Sequence, residues 1–258
     1  MPIDWTEVQK ALSPIKDYET LCRQFHESFA YPFVRQAYDF PTAELSGYTR
    51  RILGGDPRQR YADYADWLVD AIAKLEQAGV KSILDLFARA DGRDALEAFC
   101  GQSGLGATTI AHVLKYLAYW IVPKRKLLAQ LVRDQAAVLS AVGILNGLGV
   151  RSNLDLLQQG IPPAGRRALA ATSGLPEAVI LDLVNRADLS RLPWASKATI
   201  SNIVGAGYGS LEKLANATPE QLGADFFAYG KAIGKDLRFG NEIENSQRIA
   251  KIIPAVLQ

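Results

Sequence analysis

The side chains that could do chemistry in this chain are mostly cations set around turns. Arg186, Arg191, Lys197 and Lys213 flank one candidate hairpin, and Lys124, Arg125 and Lys126 form the densest positive run in the sequence. Guanidinium and ammonium groups placed this way pair with phosphate oxygens, an attraction that ignores base sequence and weakens steeply with salt. Ser196, next to Lys197, adds a hydroxyl that can hydrogen-bond the same phosphate. A second group is aromatic: Tyr116, Tyr119 and Trp120 in one apolar run, and Trp194 at the hairpin. Such rings are first read as core; where they are exposed they mark a protein partner or self-association.

Covalent and redox chemistry finds little footing. The two histidines, His26 and His112, have no ligand spacing around them, and Cys22 and Cys100 form neither a metal nor a redox pair. Gly205-Ala206-Gly207-Tyr208-Gly209 has the look of a dinucleotide loop, but it follows a helical pattern rather than a strand. Asp182 and Asp188 fit a solvated face and a cap better than a catalytic pair. The expectation is therefore a protein that is not an enzyme, with no cofactor and no metal.

Composition agrees with a compact soluble body: 48% hydrophobic and 22% charged residues, with a net charge of +2. That balance excludes a chain whose whole surface is built for a polyanion, but leaves room for a local basic face. Two unpaired-looking cysteines suit a reducing compartment, and the N-terminus lacks a basic start followed by an apolar core. The most apolar run, Leu117 to Val122, is far too short to span a bilayer. These features predict a cytoplasmic protein with no membrane partner.

What positions the candidate residues is one phrase used three times. Ala78-Gly79-Val80-Lys81-Ser82-Ile83-Leu84-Asp85-Leu86 returns as Leu148-Gly149-Val150-Arg151-Ser152-Asn153-Leu154-Asp155-Leu156, and more loosely as Ala206-Gly207-Tyr208-Gly209-Ser210-Leu211. Glycine takes the left-handed conformation that ends a helix without a Cβ penalty. Serine three residues later is an N-cap, and Asp85 and Asp155 stand where a capping box wants an acid. Between the first two copies the offset from Gly79 to Gly149 holds without a gap: Leu75 matches Leu145, Ala98 matches Ala168, Ser103-Gly104-Leu105 matches Ser173-Gly174-Leu175. Gly207 follows Gly149 at a shorter interval, which assigns the extra residues to the stretch Lys115–Lys126. Duplication explains glycine, serine and aspartate recurring together better than shared leucine and alanine do.

The rest of the chain reads as helices between breakers. Two short helices, Asp4–Leu12 and Tyr18–Phe29, precede an aromatic, irregular stretch from Tyr31 to Tyr48, and Gly54-Gly55-Asp56-Pro57 reads as a loop. Tyr64, Leu68, Ile72 and Leu75 stripe a helix from about Arg60 to Gln77; further helices are expected over Asp94–Cys100, Thr108–Ile121 and Glu242–Ile253. No stretch alternates strictly enough for a strand. The fold expected is all-α: an N-terminal helical cap over 1–60, a helix-hairpin-helix-like repeat over 61–130, and repeats two and three with a C-terminal helix over 131–258.

The span Leu148–Leu222 resembles a family of uncharacterised domains built from helix-hairpin-helix-like motifs. The residues that carry the likeness are Gly165-Arg166-Arg167-Ala168-Leu169-Ala170, Thr172-Ser173-Gly174-Leu175-Pro176-Glu177 and Ile180-Leu181-Asp182-Leu183-Val184-Asn185-Arg186-Ala187-Asp188-Leu189. The resemblance implies a hairpin after Leu189 whose backbone N–H groups meet a phosphate. Hairpins that do this usually read Gly-apolar-Gly. Here Trp194 and Ser196 stand at those two places in Leu192-Pro193-Trp194-Ala195-Ser196-Lys197, and the matching stretch of copy two, Arg133-Asp134-Gln135, has no glycine and carries an acid. The function expected from residues and resemblance together is a non-catalytic module that binds a DNA or RNA backbone without sequence preference. The alternative is a protein-interaction scaffold, or a self-assembling one, with degenerate hairpins.

Overall fold

The computed structural model describes residues 3–54, 59–133, 135–237 and 241–257. Among them there are sixteen α-helices and no strand, so the fold is all-α. The chain divides into two compact units after Lys124.

The first unit holds α1 (Trp5–Leu12), α2 (Tyr18–Phe29), α3 (Pro32–Tyr38), α4 (Thr42–Leu53), α5 (Gln59–Gln77), α6 (Ile83–Arg89), α7 (Arg93–Ser103) and α8 (Ala107–Tyr116). The carboxylates of Asp4 and Asp17 cap α1 and α2 by accepting backbone N–H bonds. The aromatic stretch expected to be irregular is helical instead. Pro32 occupies the first turn of α3, where its missing N–H removes no bond, and Pro41 immediately precedes α4. Its rings serve the core: Phe33, Tyr38 and Tyr48 are buried. The helix expected over Thr108–Ile121 stops at Tyr116 and continues as one π-turn, Leu117–Ile121, closed by the Val122 N–H on the Leu117 carbonyl at 2.8 Å. Within the unit α4 packs along α5, and α1 against α8. The loop expected at Gly55-Asp56-Pro57 lies outside the described residues.

The second unit opens with a 3-10 turn at Leu128–Gln130. It continues through α9 (Ala136–Gly147), α10 (Asn153–Gly160), α11 (Pro163–Ser173), α12 (Glu177–Leu189), α13 (Lys197–Gly205), α14 (Leu211–Asn216), α15 (Pro219–Ala232) and α16 (Asn241–Ala250). Its core is aliphatic, with Leu145, Leu154, Leu157, Ile180, Leu183 and Ile203 fully buried. Asp134 lies outside the described residues.

The three glycine corners have one geometry. Gly79, Gly149 and Gly207 have φ of 78°, 86° and 98°. In each, the glycine N–H bonds the carbonyl three residues back and the next N–H bonds the one five back: Val80 to Leu75, Val150 to Leu145 and Tyr208 to Ile203, all at 3.0 Å. Ser82, Ser152 and Ser210 then cap α6, α10 and α14, accepting from the N–H groups of Asp85, Asp155 and Lys213. A fourth corner of the same pattern ends α15 at Gly234, with φ 65°. The sequence hid it because no serine follows.

Between Gly79 and Tyr116 and between Gly149 and Arg186 the elements begin at matching places: α6 with α10, α7 with α11, α8 with α12. The joint after Ser103 and the joint after Ser173 also agree, each serine donating to the carbonyl four residues back, at 2.7 and 2.6 Å. Each first corner is also braced from outside. Phe40 and Thr42 exchange backbone bonds with Ile83 and Lys81, as Lys126 and Leu128 do with Asn153 and Arg151. The residues that lengthen the first interval fall partly in the connection before α9 and partly in α9 itself, which is three residues longer than α13.

Candidate nucleic-acid interface

The candidate hairpin lies between α12 and α13. Helix α12 starts with Glu177 behind Pro176 and buries Ile180, Leu183, Val184 and Ala187. It ends at Ser190, whose N–H bonds the Arg186 carbonyl. The chain then turns tightly: Leu192 N–H bonds the Leu189 carbonyl and Ala195 N–H the Leu192 carbonyl, each at 3.2 Å. Trp194, at the turn, has φ 58° and is the one residue other than glycine with a positive φ among the described residues. A side chain there costs about 1–2 kcal/mol relative to glycine. The indole is 44% exposed. Ser196 begins α13, its hydroxyl accepting from the Thr199 N–H at 3.0 Å, and both Ser196 and Lys197 are exposed.

The turn is held from beneath by a polar network. The Lys126 ammonium donates to the carbonyls of Ser190 (2.8 Å) and Ala195 (2.7 Å). Asn153 accepts from the Lys126 N–H at 2.8 Å and donates to the Ser190 hydroxyl at 2.9 Å. The Ser190 hydroxyl in turn donates to the Ala187 carbonyl at 2.6 Å. These bonds fix both ends of the turn to the start of α10.

This network corrects the list of cations expected to meet phosphate. Lys126 is a brace, its ammonium directed at carbonyls of its own chain. Arg186 is buried and donates to Asp182 and Gln135, each at 2.8 Å. Arg191 is buried against Asp188 at 2.8 Å and also donates to the Pro254 carbonyl at 2.9 Å. Burial pushes the Asp188 carboxyl up and Arg191 opposes it. None of the three can present charge to a ligand without breaking these bonds. Arg125 is half-buried, 3.9 Å from Asp155, and Lys124, exposed, belongs to the first unit.

Lys213 is exposed on α14 and lines a cleft of about 710 Å³ with Tyr208, Glu212, Gln221 and Asp225. The Tyr208 hydroxyl donates to Asp225 at 2.6 Å; burial and then that carboxylate push its pKa up to about 12, while the same hydrogen bond holds Asp225 low. The cleft thus mixes signs, and Lys213 is its cation.

Of the aromatic residues expected at a partner surface, Tyr116 is buried, its ring edge-on to Tyr64 at 6.5 Å, which corrects that assignment: it is core. Tyr119 and Trp120 are half-buried, and Trp120 meets Tyr61 edge-on at 6.0 Å. The exposed ring in this neighbourhood is Trp67, stacked on Tyr64 at 6.2 Å and 40% exposed. Its signal was available in the helical spacing of Tyr61, Tyr64 and Trp67. Among the described residues no group of three His, Cys, Asp or Glu side chains is placed to hold a metal ion, and no helix is long and apolar enough to cross a membrane.

Residues 129–232 match the family described as Domain of unknown function (DUF4332). No curated protein and no solved structure matches the chain. The matched span runs from the 3-10 turn before α9 to the end of α15, so it contains the α12–α13 turn, the corners at Gly149 and Gly207, and the cleft around Lys213.

Proposed function

We propose that the second unit is a non-catalytic module that binds a nucleic-acid backbone without base preference, through tandem helix-hairpin-helix-like motifs of which α12–α13 is the working one. The observation that carries this reading is the turn itself. It brings an exposed ammonium, Lys197, beside Ser196, whose hydroxyl caps the Thr199 N–H and shares a hydrogen bond with the Thr199 hydroxyl, to the start of a nine-residue helix, where first-turn N–H groups and the helix dipole favour an anion. Trp194 has a left-handed backbone, φ 58°, at the place where such hairpins usually carry their first glycine, which supports reading this turn as one of them. Charge supports the same unit: from Arg125 onward the sequence has 15 Lys and Arg against 11 Asp and Glu, a net +4, while the first 124 residues carry 14 against 16, a net −2.

The test is fluorescence anisotropy of the full chain with a labelled duplex and its single strand. Binding is expected in roughly the micromolar range at about 50 mM salt and should be lost near 200 mM. Lys197→Glu should weaken it at least ~10-fold, the scale of one lost and one reversed phosphate contact. An absence of binding at tens of micromolar and low salt would discard the reading. A protein-interaction role is the second reading, favoured by the uncharged exposed face of α9.

A further inference from the structure

Helix α9 is the one α-helix among those described that carries no charged side chain, and the whole run from Gln135 to Val150 lacks Asp, Glu, Lys and Arg. It nevertheless faces water over most of its circumference. Only Ala141, Val142 and Leu145 are buried, while Leu139, Ile144 and the following Leu148 are 37%, 41% and 46% exposed. A solvated helix in a globular protein normally sets charged residues on that side.

The first unit supplies an internal control. Helix α5 precedes the Gly79 corner as α9 precedes Gly149, and its outer face is charged. Asp66, Asp70, Lys74 and Glu76 stand where α9 has Ala136, Ser140, Ile144 and Asn146, and Lys74 pairs with Asp70 at 2.6 Å. Helix α5 is also covered along part of its circumference, its Asp66, Asp70 and Lys74 side chains staying 68%, 64% and 54% exposed. Beyond the Phe40–Thr42 segment that braces the Ser82 corner comes α4, twelve residues long, packed along α5 with Arg50 donating to Asp66 at 2.8 Å. Beyond the equivalent Lys126–Leu128 segment comes only the three-residue turn Leu128–Gln130. Among its described residues the second unit has no counterpart of α4, and the positions matching Val69 and Ala73, half-buried on α5, are Leu139 and Gly143, exposed on α9.

We infer that the bare face of α9 is a self-association surface, on which α9 of a second copy packs. This goes beyond the nucleic-acid reading and does not depend on it. Complementarity selects the occupant. A partner helix with charges would desolvate them against Ala136 and Ile144 with nothing to pair them, whereas α9 of another copy brings none. The face also fits itself. Ala136, Ser140, Gly143 and Gly147 fall on one line of the helix, a Cβ on either glycine would meet nothing within 4 Å, and Leu139 and Ile144 flank the line. The ridge of one copy can lie in the shallow line of the other about a twofold axis. A pair of helices about 18 Å long buries far less than a standard interface, so the association belongs with weak ones, dissociating between roughly 10 µM and 1 mM.

Sedimentation velocity of the full chain from about 5 to 500 µM tests this. The weight-average sedimentation coefficient should rise with concentration toward that of a dimer. Ser140→Asp with Ile144→Lys, which installs on α9 the ion pair that α5 carries, should keep the helical circular dichroism and hold the chain monomeric throughout. Gly143→Leu, an independent surface change that raises helix propensity, should do the same by blocking close approach. A coefficient that stays monomeric for the parent chain overturns the inference. So does association that both variants leave unaltered.

Discussion

Asp188 sits on the last turn of α12 and Arg191 just beyond its cap, with almost no solvent around either side chain, and this decides what Arg191 is for. Removing one partner of a buried pair strands the other, at about 3–5 kcal/mol. Asp188→Asn should therefore lower the unfolding free energy by that order in urea titration, a far larger loss than neutralising exposed Lys197 would give. A sequence signal for Arg186 was present, since Asp182 stands four residues before it on the same helix face. For Arg191 the three-residue spacing from Asp188 was visible, but its second acceptor, the Pro254 carbonyl, lies far along the chain. Asp85 gives the pH dependence at this scale. Arg89 and the Lys81 N–H hold its carboxyl below the usual range, burial opposing. A depressed folded pKa contributes stability that is present above the unfolded value of 3.8 and is lost as pH falls through the folded one. Asp85→Asn is accordingly expected to cost roughly 0.5–1 kcal/mol near neutral pH, with the difference from the parent chain closing below pH 4 in thermal melts.

Among elements, the same substitution should have opposite signs at two glycines six residues apart. Gly149 has φ 86°, so Gly149→Ala forces a side chain into the left-handed region and should cost about 1–2 kcal/mol. Gly143 lies inside α9 with open space where a Cβ would go, so Gly143→Ala should stabilise by up to about 1 kcal/mol. Urea midpoints at low protein concentration check both. The corners were legible because their geometry is set by residues within five positions. The short helices over 31–53 were not. Prolines at their starts read as breaks, and only the burial of Phe33, Tyr38 and Tyr48 shows the segment to be packed. The exposed face of α9 lay between: its lack of charge was visible in the sequence, its lack of cover was not.

For the whole molecule, two units with separate cores imply two cooperative blocks. Leu154 is fully buried in the second, so Leu154→Ala should cost about 2–5 kcal/mol there. Calorimetry should then show one transition moving down in temperature and the other staying in place. Charge is divided between the same two blocks, and with two to four phosphates engaged the slope of log K against log salt should be about −2 to −4; a flat dependence would argue against backbone contact.

The sequence by itself determined the helical class, the glycine-terminated corners and their serine caps, because capping and left-handed turns are settled by bonds between near neighbours. Tertiary structure alone decided which cations meet water. Lys126 is taken up by Ser190 and Ala195, and Arg191 by Asp188 and Pro254, through contacts that mostly join residues some sixty positions apart. Burial is a property of what packs against a side chain, and no local pattern records it. The missing counterpart of α4 belongs to the same class: a helix becomes a surface only where the fold leaves it uncovered.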